Sequence, residues 1–423
     1  MTVRRAGSAL PDVESPEAFA AARQTAAIVD LDALSGNIRQ VRKALAPGRE
    51  VLAVVKAEAY GHGAVEASRI FRKEGACLLG VATAEEAEVL RSVGAKEEDS
   101  LLSDAPILLM SAVSPCLAPR VVSLDLETAL WNFEQAQALA STAAAAGRSV
   151  RVHFKVDSGM GRLGLSPGEA ADFIRKVSGL DRIVPVGLMS HLGQADEEEG
   201  VPPTLAQFEV VRSLAESLRN EGILPPLVHT ANSAGGLAFL DAPGGLVRCG
   251  ILLYGCLPRN VRSFSVVPAM SFRSYILQVK PIAAGAPVGY GATYRRETPG
   301  KIALAAVGYA DGYPRLLSNR ADALVGGSRA PVVGRVSMDL IALDVTHLET
   351  VREGEEVVLF GAQNEGRILV EELADRVDTI PYEILCGVSA RVPRLYLKGG
   401  RFAGRRMLGG EPKESRLVVE GPA

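Results

Sequence analysis

Between about Ala27 and Gly255, short apolar runs alternate with longer stretches of helical periodicity. The runs are Val51–Val55, Leu78–Ala82, Ile107–Met110, Val121–Leu124, Val150–Val156, Val184–Met189, Leu227–Thr230 and Val247–Leu253. A stretch opened by Ser35-Gly36-Asn37-Ile38 puts Ile38, Val41, Arg42 and Leu45 at helical spacing, and Pro47-Gly48 ends it. Ala84–Leu90, Phe133–Ala146, Glu169–Val177 and Leu205–Leu218 read the same way. This alternation predicts parallel strands joined by crossover helices. Repeated eight times, it predicts a (β/α)8 barrel of about 250 residues, an α/β fold. An open doubly wound sheet shares the alternation, but no G-x-G-x-x-G follows the first strand.

After about Arg262 the helical periodicity fades. Ser274–Val279, Ile302–Val307, Ala330–Val333, Leu340–Val345 and Glu356–Phe360 read as strands. Ala284-Gly285, Pro299-Gly300, Gly326-Gly327 and Glu353-Gly354 separate them as turn signals. Glu371–Val377 reads as a helix. The expected organisation is a tail over 1–24, the barrel over 25–262, a mostly β domain over 263–410 and a second tail over 411–423.

Composition narrows the function classes. The chain has 423 residues, 48% hydrophobic and 22% charged, which is ordinary for a globular protein and unlike a disordered one. With 46 basic and 49 acidic residues, it lacks the basic surplus of a general nucleic-acid binder. No uncharged apolar stretch reaches the roughly 18 residues of a membrane span. No apolar run follows Arg4-Arg5, so no secretory signal is expected. Cys77, Cys116, Cys249, Cys256 and Cys386 are scattered and odd in number, as expected of core thiols in the cytoplasm.

Several motifs carry chemistry. In Val54-Val55-Lys56-Ala57-Glu58-Ala59-Tyr60-Gly61-His62-Gly63, a lysine ends an apolar strand. Barrels place reactive groups at strand C-termini, and partial desolvation there frees an amine for Schiff-base chemistry. A lysine snorkelling from a strand end is the other reading. In His153-Phe154-Lys155-Val156-Asp157-Ser158-Gly159-Met160-Gly161-Arg162, Lys155 and Asp157 share a strand face, and Arg162 follows two glycines. That pattern suits either an anion site or a strand-end ion pair. His191 ends another strand. Asn232 and Ser233 precede a helix start, where they cap it or bind phosphate. Arg248 lies in the last apolar strand, just before Gly250 and Ile251. In the β domain, Tyr290 stands between two glycines, and Tyr309, Met338 and Tyr382 sit in further turn-like clusters. A tyrosine acts as a base only if its pKa falls from about 10. The five histidines form no H-x-H or H-E-x-x-H pair, so no metal site is expected.

As a set and in this order, these segments resemble the alanine racemases, enzymes with a pyridoxal 5'-phosphate (PLP) barrel and a β domain. The resemblance runs from about Ala27 to Leu397. It implies that Lys56 binds PLP as a Schiff base and serves as one catalytic base, with Tyr290 as the other. It places Tyr60, Asn232, Ser233, Gly250, Ile251 and Tyr382 around the phosphate. Arg162 is placed near the phenolic oxygen and the substrate carboxylate, His191 against the cofactor ring and Arg248 at the pyridine nitrogen. Met338 is placed at the substrate, and Lys155 matches a lysine carbamylated in many members. Tyr290 and Met338 belong to the partner's site in such enzymes, which implies a head-to-tail homodimer with Tyr309, Arg315, Arg335 and Arg394 lining the access passage. The implied activity is interconversion of L- and D-alanine, supplying D-alanine for peptidoglycan; racemisation of another or broader set of amino acids is the alternative. Glu58 departs from the usual asparagine, Ala390 from a frequent tyrosine and Leu192-Gly193-Gln194 from a common Phe-Ala stretch.

Overall fold

The computed structural model describes residues 25–111, 114–259, 261 and 264–408. The tails expected at 1–24 and 411–423 lie outside the described residues. Two compact units are present: Ala33–Ala269, and a second formed by the described residues up to Asp32 and from Met270 onward.

A first strand, β1 (Thr25–Asp30), belongs to the second unit. It pairs antiparallel with β10 (Met270–Ile282) and parallel with β19 (Arg394–Lys398). The segment expected to begin the barrel therefore opens in the other sheet, with pairing partners that lie far along the chain.

The barrel unit carries eight parallel strands: β2 (Glu50–Val54), β3 (Leu78–Val81), β4 (Ile107–Leu109), β5 (Glu127–Leu130), β6 (Val150–Lys155), β7 (Ile183–Met189), β8 (Leu227–His229) and β9 (Leu246–Cys249). Their order is β8-β7-β6-β5-β4-β3-β2-β9, so the last strand returns beside the first. The remaining seam is bridged by the Arg248 N–H, which donates to the Ala231 carbonyl at 3.0 Å. The expected barrel is present, with one element corrected. Val121–Leu124 is not a strand, because Val121 and Val122 lie in the helix Ala118–Ser123, where Ala118, Val121 and Val122 form a buried helical face. A short apolar run fits both periods. The strand is Glu127–Leu130 instead, headed by a buried glutamate.

The second unit is mostly strand, as expected. Its main sheet runs β15-β14-β17-β10-β1-β19-β20, built from β10, β14 (Asp322–Val325), β15 (Ser328–Pro331), β17 (Glu356–Gln363), β19 and β20 (Arg401–Arg406). The 13-residue β10 shifts register between Ile276 and Gln278 and there turns to pair with β13 (Gly300–Ala305), which pairs with β16 (Ile341–Asp344). A short strand, β18 (Gly366–Ile368), pairs with β17, and β11 (Pro287–Val288) and β12 (Tyr294–Arg295) form a small hairpin. The expected helix is Val370–Arg376, and a second helix, Pro381–Gly387, starts with proline in its first turn.

Candidate functional site

Lys56 leaves β2 into an unusual turn. Ala57, Glu58, Ala59 and Tyr60 all have φ between 51° and 53°, the left-handed region. Non-glycine residues there cost about 1–2 kcal/mol each, so the turn must be held from outside. The Glu86 carboxylate accepts the Ala57 N–H at 2.7 Å, and the Gly63 N–H donates to the Glu58 carbonyl at 2.8 Å. Glu58 itself accepts the Ala64 N–H at 3.0 Å, at the start of the helix Ala64–Lys73. Its carboxylate, where the resemblance has an asparagine, is thus engaged at the helix start.

Four cations converge electrostatically at the C-terminal ends of β2, β6 and β9 and the loop after β6. Burial pulls the Lys155 amine down to about 8, and Arg162, Arg248 and Lys56 add to the effect, while Asp157 opposes it. Its Nζ stands 5.6 Å from the Trp131 ring centroid. The strand-end ion pair between Lys155 and Asp157 does not form. Asp157 instead accepts the N–H groups of Gly159, Met160, Gly161 and Arg162 at 2.8–3.2 Å and so builds the loop that carries Arg162. The Arg162 side chain is exposed.

Arg248 is buried, and burial lowers its guanidinium to about 10. Its Nη1 donates to the His229 carbonyl at 2.7 Å and to His229 Nδ1 at 3.1 Å. Its Nη2 donates to the carbonyls of Ser190 and Thr230 at 2.6 and 3.0 Å and to His191 Nδ1 at 2.9 Å. Because arginine has no acceptor, His191 carries its proton on Nε2. Burial, followed by Arg248, Arg162, Lys155 and Lys56, holds His191 well below the usual imidazole range, so it is neutral.

Beside this cluster lies a small polar cradle. Asn232 Oδ1 accepts the Gly235 N–H at 2.9 Å, and Ser233 Oγ accepts the Gly250 N–H at 2.9 Å. A Cβ at Gly250 would stand 2.4 Å from the Tyr60 hydroxyl oxygen, so the missing side chain is what lets Tyr60 reach this point. Ile251 opens the 3-10 turn that follows. Ten of the expected site residues are thereby gathered on the barrel unit: Lys56, Tyr60, Lys155, Arg162, His191, Asn232, Ser233, Arg248, Gly250 and Ile251.

The other expected residues lie on the second unit. Tyr290 is 72% exposed in the turn between β11 and β12. Met338 is exposed, and its carbonyl accepts the Ala310 N–H at 3.0 Å while the Ser337 carbonyl accepts that of Tyr309. Tyr309, Arg315 and Arg335 are exposed, and Tyr382 is half-buried on Pro381–Gly387. Arg394 corrects the reading of an access-lining residue. It is 0% exposed and its guanidinium serves the carbonyls of Val388, Ser389 and Val392.

Sequence reading missed the supporting residues. Gln207 donates to the His191 carbonyl at 2.9 Å and to Ser158 Oγ, and accepts the Gly193 N–H, so it braces the loop carrying His191. The spacing Thr83-x-x-Glu86, a capping box that the structure contains, is the signal that could have found Glu86. Glu127 and His153 carried no such signal.

Residues 29–258 match the family model described as alanine racemase, N-terminal domain, and residues 269–396 match that of its C-terminal domain. An alanine racemase of Symbiobacterium thermophilum is 42% identical over 383 residues, covering 90% of this chain and 98% of that one. One from Geobacter sulfurreducens is 41% identical, with 89% and 97% covered. Among solved structures, the alanine racemase of Bacillus anthracis with bound L-Ala-P has a TM-score of 0.83 at 32% identity, covering 91% of this chain and 97% of its own. That of Streptomyces coelicolor has a TM-score of 0.83 at 34% identity, with 90% and 100% covered. Both domain matches occur in order and together span most of the sequence, and the chain belongs to the alanine racemase family.

Proposed function

We propose that this protein interconverts L- and D-alanine with PLP as cofactor, in the cytoplasm, as a head-to-tail homodimer that supplies D-alanine for peptidoglycan. The observation that carries the reading is Lys56 at a barrel strand end, among Lys155, Arg162 and Arg248 and beside the Gly250 cradle. A dianionic phosphate and an amino-acid carboxylate suit so cationic a site.

PLP supplies an electron sink that acidifies the α hydrogen of an amino acid. Lys56 Nζ would hold the cofactor. Tyr60, Asn232, Ser233, Gly250, Ile251 and Tyr382 would surround its phosphate, and His191 would pack against the ring. Arg162 would face the phenolic oxygen and the substrate carboxylate. Arg248 would face the pyridine nitrogen. An arginine stays charged and gives up no full proton, which limits electron withdrawal and disfavours transamination.

Racemisation needs a proton taken from one face and returned on the other. Lys56 Nζ serves one face, and the Tyr290 phenol of a second copy serves the other, with Met338 of that copy at the substrate. With its amine near 8, a substantial fraction of Lys155 is neutral at mild alkaline pH. The neutral nitrogen attacks carbon dioxide, an N–C bond forms and a proton leaves. The resulting carbamate is anionic and offsets the neighbouring cations.

The test is a racemisation assay over a panel of L-amino acids with and without PLP, beside Lys56→Ala. Turnover of alanine, lost together with the lysine-bound PLP absorbance in Lys56→Ala, supports the reading. No turnover on any amino acid leaves a PLP-binding protein.

A further inference from the structure

Among the buried side chains of the barrel unit are Glu127 at the start of β5, His153 on β6, His229 at the end of β8 and Arg248 on β9. They form one hydrogen-bonded line. His153 Nε2 lies 2.7 Å from Glu127 Oε2, His153 Nδ1 lies 2.9 Å from His229 Nε2, and His229 Nδ1 lies 3.1 Å from Arg248 Nη1.

The line crosses a strand. His153 and His229 belong to β6 and β8, and β7 lies between them. At that crossing β7 presents Gly187, the register partner of His153. A Cβ on Gly187 would sit 2.0 Å from His153 Nδ1, closer than any side-chain carbon can approach. The absence of a side chain at residue 187 is what lets the two imidazoles meet.

The two ends of the line fix every proton between them. Arg248 offers donors alone, and an ionised carboxylate offers acceptors alone. Burial raises the Glu127 carboxyl, but it accepts hydrogen bonds from His153 and from the permanently charged Arg151, whose Nε lies 3.1 Å from Oε1, and these hold it below the usual carboxylate range. His229 must therefore accept at Nδ1 and donate at Nε2. His153 must accept at Nδ1 and donate at Nε2. Protonating either ring, or switching its tautomer, would set one N–H against another. Among the described residues no carboxylate contacts Arg248, and a buried cation without a counter-charge is costly. The carboxylate at the far end of the line is Glu127.

We propose that Glu127 is a positioning residue for Arg248, acting through His153 and His229 across the gap at Gly187. It locks His229 in the one tautomer that receives Nη1, and so holds the Arg248 guanidinium charged and in plane. The consequence for catalysis rests on the PLP reading above, in which Arg248 faces the pyridine nitrogen. The tautomer lock does not.

The experiment uses the full chain labelled with 15N-histidine, first without cofactor and then as holoenzyme, with Glu127→Gln and Gly187→Ala as variants. In the wild type, imidazole 15N spectra should place the proton of both His153 and His229 on Nε2. Glu127→Gln removes the charge at nearly constant shape, and Gly187→Ala breaks the contact without touching an ionisable group. Each should move the His229 nitrogen signals. In the holoenzyme each should lower kcat about tenfold, the size of one charge-assisted hydrogen bond, with KM within about twofold. A merely structural role would lower thermal stability and leave the His229 nitrogen signals and the kcat of folded enzyme unchanged. Either ring protonated on Nδ1 in the wild type, or Glu127→Gln without effect on His229 signals and kcat, overturns the proposal. If Gly187→Ala does not fold, Glu127→Gln decides alone. Predicted spectra in a wild type that racemises nothing support the relay and overturn the racemase reading by itself.

Discussion

The carboxylate of Glu86 accepts the backbone N–H of Ala57 at 2.7 Å, and its other oxygen accepts those of Ala82 and Thr83 at 2.7 and 3.2 Å. One side chain on the helix after β3 thus holds the left-handed turn that presents Lys56. Both of its oxygens face N–H donors. An amide in its place would set an NH2 group against one of them, so Glu86→Gln is not conservative. Glu86→Ala and Glu86→Gln should each cost about 2 kcal/mol of stability, as for a lost charge-assisted bond. Both should also weaken PLP retention more than their melting temperatures explain. Thermal melts beside PLP titration followed by absorbance check this. Retention equal to wild type would mean that the turn holds itself.

If each site combines Lys56 of one chain with Tyr290 of the other, two inactive variants complement. Tyr290→Phe should lower turnover by about 10²–10⁴, the usual value of a positioned acid–base group. Lys56→Ala should be inactive. Exchanging subunits between them at equal amounts makes half of the dimers mixed, and each mixed dimer has one intact and one doubly impaired site. Activity should recover to about a quarter of wild type. Mixing without recovery would place both groups in one chain's site.

The barrel was legible because its strands are apolar runs at regular spacing, and the Lys56 and Arg162 motifs were legible because glycines cluster where backbone approaches a ligand. What stayed hidden had another periodicity or no local signal. The strand Glu127–Leu130 opens with a charge that burial tolerates because Arg151 and His153 bond it, at 3.1 and 2.7 Å. Neither partner is near it in sequence. Thr25–Asp30 falls in the range expected for the barrel, yet its register partners are Met270–Ser274 and Arg394–Leu397. Gly187 looks like any glycine within a strand until the His153 ring occupies the space its Cβ would fill.

Arg394 shows the same limit in the second unit. In sequence it is an arginine of a site-like motif, while in the structure it holds the chain from Val388 to Val392 against β19. Arg394→Met keeps the aliphatic stem but leaves three carbonyls, two of them buried, without this donor. A loss of about 3 kcal/mol is expected, at roughly 1 kcal/mol for each abandoned acceptor. Chemical denaturation measures it. A loss below about 0.5 kcal/mol, the range of ordinary surface changes, would contradict the structural role.

Lys155 gives the stability of the barrel a pH dependence with a definite sign. Burial is the largest cause of its depression to about 8, and an unfolded lysine keeps its ordinary 10.5. Between these values the unfolded chain binds a proton that the folded chain does not, so stability rises with pH from about 8 to about 10.5. Below about 8 both states are charged and the folded state bears the full cost of the buried cation. Lys155→Met should therefore be more stable than wild type at neutral pH, with the difference fading as pH climbs through that window. Carbamylation exchanges the cation for an anion beside Arg162, so bicarbonate should stabilise the wild type near pH 8 and leave Lys155→Met unmoved. Urea denaturation across pH, in buffers purged of carbon dioxide and in bicarbonate, separates the two effects. If Lys155→Met gains nothing at neutral pH in the purged buffer, the lysine is not a buried cation, and its amine has no reason to take up carbon dioxide.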